Sequence, residues 1–126
     1  MRYETQKLIN TYSEHGYIIV GCDFDDTVYA FTNSKFIEDR CEKVKSLLLS
    51  IRDKIKICLY TVADSDTLQY KSHIMRLYGL APDYINDSPV SPWKGSKKLF
   101  FNILLDDKAG LNEAIEILTE FKNNIN

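Results

Sequence analysis

Near the start of the chain, Tyr3, Leu8, Ile9 and Tyr12 recur at helical spacing ahead of Gly16, which predicts a short helix over 3–14. Tyr17-Ile18-Ile19-Val20-Gly21-Cys22 follows as an unbroken apolar run, the pattern of a central parallel strand covered on both faces. It breaks off in Asp23-Phe24-Asp25-Asp26-Thr27. Cys41, Val44, Leu47, Leu48 and Ile51 then share one side of a helix predicted over 40–53. Ile55-Lys56-Ile57-Cys58-Leu59-Tyr60 reads as a second strand ending at Thr61. A helix over 65–78 has Ser65 or Asp66 as its expected N-cap and Gly79 as its stop. Asp83-Tyr84-Ile85-Asn86 reads as a short strand before a loop marked by Pro89 and Pro92. Phe101-Asn102-Ile103-Leu104-Leu105 is the last strand and ends in Asp106-Asp107. Leu111, Ala114, Ile115, Leu118 and Phe121 form the inward side of a closing helix over 110–122.

This alternation predicts an α/β fold: a three-layer, Rossmann-like parallel sheet with helices on both faces, as a single domain over 1–126. Hydrophobic residues at 44% and charged residues at 27% are the balance of a soluble globular chain. No apolar run approaches the roughly 20 residues that span a bilayer, and the polar N-terminus resembles no signal segment, so a cytoplasmic protein is expected. A net charge of −2 gives no basic footprint for nucleic acid. The three cysteines are an odd number without CxxC spacing. Cys22 and Cys58 lie in strand-like runs and Cys41 on a helix face, so buried free thiols in a reducing compartment are expected. With His15 and His73 as the two histidines, the chain offers little for structural zinc.

Function enters through the strand ends. In parallel sheets ligands bind beyond the carboxyl ends of the strands, where strand order reverses. Three apolar strands here end in Asp23, Thr61 and Asp106. Carboxylates brought together in a crevice repel one another, and a hard divalent cation held through oxygen relieves this; Mg2+ suits a few carboxylates, water and a phosphate. The hydroxyl of Thr61 and a cation from the 94–98 stretch would hold phosphoryl oxygens. In-line displacement at phosphorus needs a positioned nucleophile, charge neutralisation and a proton donor, and all are available.

Asp23-Phe24-Asp25-Asp26-Thr27, Thr61, a following lysine and Asp106-Asp107 together resemble the haloacid-dehalogenase-like (HAD) phosphatase superfamily, with its four motifs in order across 17–107. The resemblance implies a phosphomonoester hydrolase with Asp23 as nucleophile, forming an aspartyl-phosphate. Asp25 would act as general acid and base and lend its backbone carbonyl to the metal. Thr61 would bind the phosphoryl group, and Asp106 and Asp107 would complete the Mg2+ site. Spacing within the family favours Lys98 as the phosphate-binding lysine, then Lys97, then Lys94. The proline common after that lysine is replaced here by Leu99.

The stretches 28–39 and 62–93 leave no room for the cap domains of larger relatives, so a capless form is implied. An open site fits a phosphorylated small molecule, either a nucleotide or a sugar phosphate, or a polynucleotide end, unless a second copy of the chain supplies a lid. Tyr29, Phe31 and Phe36 are candidates for an aromatic flap or for core packing, and residues 1–15 for a segment folded across the mouth. Trp93 and Tyr84 are read as packing anchors or as platforms for a ring. The bland alternatives make Asp26 a surface or capping residue, Thr27 a helix cap or local backbone partner, Asp107 a cap of the last helix and His73 a partly exposed helix residue. A receiver-like signalling domain would carry its acidic pair first, whereas here the pair comes last. A non-catalytic phosphate-binding module of the same fold is the other alternative.

Overall fold

The computed structural model describes residues 1–87 and 100–125. Helix α1 (Tyr3–His15) leads into β1 (Ile18–Cys22), α2 (Lys35–Ser50), a 3-10 turn (Arg52–Lys54) and β2 (Ile55–Leu59). Helix α3 (Ser65–Leu77), β3 (Tyr84–Ile85), β4 (Ile103–Leu105) and α4 (Leu111–Asn124) complete the order. The four strands form one all-parallel sheet in the order β3-β2-β1-β4. This is the expected α/β architecture and fits a three-layer Rossmann-like fold, with no cap domain among the described residues. Among those residues no helix is long and apolar enough to cross a membrane.

Strand β1 is the central element because it is apolar at every position and wholly buried. Ile18, Val20 and Cys22 join a core with Val44 and Leu48 of α2, Met75 of α3, and Leu118 and Phe121 of α4. Ile19 and Gly21 alternate onto the opposite face. There the Phe101 ring lies so close over Gly21 that a Cβ would meet its Cγ at 2.6 Å. Glycine is the residue that lets this ring reach the sheet.

Several boundaries differ from the sequence reading, for local reasons. Helix α2 starts at Lys35 because Ser34 caps it, accepting from the Ile37 N–H at 3.5 Å. The cap of α3 is Asp64, whose carboxylate accepts from the Thr67 N–H at 2.8 Å; neither Ser65 nor Asp66 plays that part. Strands β3 and β4 are shorter than the apolar runs predict, because side-chain groups replace backbone ones in the ladder. The Ile57 N–H donates to the Asp83 carboxylate and the Ile19 N–H to the Asn102 side-chain carbonyl.

Helix α1 ends on Gly16, at φ 81°, and docks along α4. Tyr12 meets Phe121 edge to face at 5.8 Å, Thr5 donates to Glu120 at 2.6 Å and Arg2 pairs with Glu116 at 2.8 Å. The N-terminal segment is therefore committed to α4 and does not fold across the mouth. All three cysteines are free and buried, and burial pushes the Cys41 thiol up to about 11.

Candidate active site

The register of β1 builds the site. Cys22 pairs with Leu59 on one side and with Leu105 on the other, so the residues just beyond the three strands emerge together. The Asp23 N–H donates to the Leu105 carbonyl at 2.9 Å and the Tyr60 N–H to the Cys22 carbonyl at 2.9 Å, extending both ladders by one step. Asp23 thus stands between the stretch carrying Thr61 and the stretch carrying Asp106. The sheet order reverses direction at β1, so this is the topological switch point at which α/β sheets bind ligands.

Carboxylate oxygens of Asp23, Asp106 and Asp107 lie within 4.8 Å of one another. Among the described residues this is the one place where three potential metal ligands converge. The Asp23 carboxyl is pushed up to about 6, first by burial and then by the neighbouring charges of Asp106 and Asp107, against the opposing hydrogen bond from the Phe24 N–H. The backbone of Asp107 is fixed from across the chain, its N–H donating at 3.1 Å to the hydroxyl of fully buried Thr27. Thr27 is therefore a backbone partner, but of a distant residue. Asp107 does not cap α4, whose N-cap is Gly110 without a side-chain bond. The Lys108 N–H donates to Asp106 Oδ1 at 3.0 Å.

The loop after β1 is wound tightly around one carbonyl. Phe24 O accepts from the N–H groups of Thr27, Val28 and Tyr29, and the Phe24 and Tyr29 rings stack at 5.2 Å. Asp26 takes a left-handed conformation, φ 61°, and its carboxylate accepts from both the Thr32 N–H and the Thr32 hydroxyl. It is a loop-building residue. Of the three flap candidates only Phe31 lines the cleft. Tyr29 packs on Phe24, and Phe36 stands beside Arg40, whose guanidinium lies 5.4 Å from its ring.

Thr61 is buried and held at both peptide groups by one side chain. Its N–H donates to Asn86 Oδ1 at 3.0 Å and its carbonyl accepts from Asn86 Nδ2 at 2.8 Å. The Thr61 hydroxyl accepts from Lys71 Nζ at 3.0 Å, and the same ammonium reaches Asp25 Oδ2 at 3.3 Å. The Asp25 carboxylate is thus engaged by a lysine and stands outside the Asp23–Asp106–Asp107 cluster.

Lys71 and Asn86 are the residues sequence reasoning missed. Lys71 is a lysine on an amphipathic helix, which ordinarily faces water; here it is buried. The signal that points to it is its position two turns into the helix after Thr61, on the same side as inward-facing Met75. Lys94, Lys97, Lys98 and Trp93 lie outside the described residues. Tyr84 is half-buried in β3, and His73 is exposed.

These groups line an open cleft of about 480 Å3 that joins Asp23, Asp25, Thr61, Lys71, Asp106 and Asp107. No protein-family model matches this chain, and no curated protein or solved structure does.

Proposed function

We propose that this chain is a magnesium-dependent phosphomonoester hydrolase of the HAD-like kind, acting through an aspartyl-phosphate on Asp23. The observation that carries the reading is the convergence of the Asp23, Asp106 and Asp107 oxygens within 4.8 Å, beside a hydroxyl and an ammonium. Three hard oxygen donors suit magnesium, which keeps several of its waters. The Asp23 carboxyl is raised first by burial and then by the neighbouring Asp106 and Asp107 charges, both of which a bound cation would offset. Asp23, Asp106 and Asp107 would hold the ion, with the backbone carbonyl of Asp25 as a further donor. When bound, magnesium supplies positive charge against the phosphoryl oxygens.

The chain's own residues divide the remaining work. A carboxylate oxygen of Asp23 attacks phosphorus in line, the ester P–O bond breaks, and Asp25, which enters the cycle protonated, gives its proton to the departing oxygen. Water then attacks the phosphorus of the aspartyl-phosphate, Asp25 takes up its proton, and the bond from phosphorus to the Asp23 oxygen breaks to release inorganic phosphate. Because the Thr61 hydroxyl accepts from Lys71, its own hydrogen is left to donate to a phosphoryl oxygen. Lys71 offers a cation beside Thr61 for the role that the family resemblance gave to Lys98 or Lys97, which lie outside the described residues. The substrate is a phosphorylated small molecule or a polynucleotide end in a cleft that no cap domain among the described residues covers.

The test is hydrolysis of p-nitrophenyl phosphate with magnesium, with a chelator, and by Asp23→Asn. Release of nitrophenol is expected with magnesium only, and is abolished by the substitution. Turnover that survives in Asp23→Asn rules out the nucleophile.

A further inference from the structure

The cleft has an apolar rim that phosphoryl transfer itself does not use. Phe31 is 74% exposed, Val62 fully exposed and Tyr60 42% exposed, and all three line the same cleft as the carboxylates. Single exposed hydrophobic residues are ordinary; three around one polar cleft are a patch whose contact with water is relieved when a ligand covers it.

The rim is also built rather than accidental. The Asp26 carboxylate closes the loop by holding Thr32 at its N–H and its hydroxyl, and the Phe31 N–H donates to the Tyr29 carbonyl at 2.9 Å. Phe31 is thus carried outward between two hydrogen-bonded anchors, with little freedom to fold back onto the core. Tyr60 and Val62, also in the cleft lining, flank Thr61, whose peptide groups Asn86 clamps. The Tyr60 ring is steadied edge to face against Phe101 at 5.7 Å. The rim residues are therefore tied to the loops that position the reacting groups.

We infer that this rim receives a flat aromatic ring on the leaving group, so that the substrate class is a nucleoside monophosphate rather than a sugar phosphate. The inference rests on the phosphohydrolase reading above and chooses between substrates which that reading leaves open. A base laid against Phe31 covers apolar surface that a polyol cannot cover without burying its own hydroxyls. The cleft, at about 480 Å3, is of the size that takes one small molecule.

The experiment compares adenosine 5′-monophosphate with ribose 5-phosphate, which has the same phosphate and sugar but no base. Binding is measured by calorimetry in magnesium, using Asp23→Asn so that neither ester turns over. The nucleotide is expected to bind about tenfold tighter, as base–aromatic stacking allows, and Asp23→Asn/Phe31→Ala is expected to lose most of that ratio. Equal affinity for the two ligands, or a ratio untouched by Phe31→Ala, overturns the assignment of the rim. Failure of both ligands to bind overturns it as well. Hydrolysis of p-nitrophenyl phosphate by the unsubstituted chain then reports separately on the phosphohydrolase reading.

Discussion

The carboxyl of Asp23 meets different surroundings in the folded and the unfolded chain. It moves from an ordinary 3.8 to about 6, so the folded state holds the proton more tightly. Stability from this group is fully present below about pH 3.8 and is lost as pH rises through about 6. Metal-free protein should therefore lose part of its melting temperature across that window, and Asp23→Asn should remove that part. Magnesium should restore it above pH 6 by binding the folded state. The check is melting against pH, in chelator and in magnesium; identical chelator curves for the two proteins would contradict the raised Asp23 carboxyl. Lys71 can be tested at the same scale. Lys71→Met should lower turnover by about a hundredfold or more, the order expected when a donor to developing charge is removed. Lys98→Met, measured in parallel, decides which lysine serves the phosphoryl group.

At the scale of elements, side chains finish what the backbone ladders leave incomplete. Asp83 and Asn102 stand in for strand residues at the start of β3 and β4, and Asn86 does so beyond the end of β2. Each substitution of a side chain for a peptide group shortens a strand yet keeps the hydrogen bonds of its neighbour satisfied. The tightest packing demand falls on Gly21, where the Phe101 ring takes the space of a Cβ. Gly21→Ala should cost about 1–3 kcal/mol through overpacking, read as a lower urea midpoint at an unchanged slope. Repeating it in a Phe101→Ala background should shrink the cost, because the clash is gone. An unchanged cost there would locate the strain elsewhere in β1.

Across the whole molecule, the core and the cleft are separable. Phe121 is fully buried at the junction of α1 and α4, where Tyr12 packs against its ring. It does not line the cleft, which gathers at the opposite strand ends. Phe121→Ala should destabilise the fold by about 3–5 kcal/mol, a large part of the roughly 5–15 kcal/mol that holds a domain together. Thermal melting measures the loss, while KM for p-nitrophenyl phosphate in the remaining folded protein should stay as it was. A changed KM would mean that the α1–α4 contact reaches the cleft.

Element identity was legible along the chain because burial imposes a pattern: a continuous apolar run for β1, an apolar run interrupted by Lys56 for β2, and helical spacing for α2 and α4. The acidic strand ends Asp23 and Asp106 were legible too, since a buried strand that stops at a carboxylate stands out against its own pattern. Tertiary structure alone decided the rest. Whether Asp23 and Asp106 meet depends on β1 lying between β2 and β4, a matter of strand order that no local pattern encodes. Helical spacing can place Lys71 on the side of Met75 but not name its partners, and Asn86 carries no periodic signal; the importance of both comes from the groups they touch across 10 and 25 residues of chain. Periodicity reports which side of an element is buried; only the assembled fold reports which buried groups face one another.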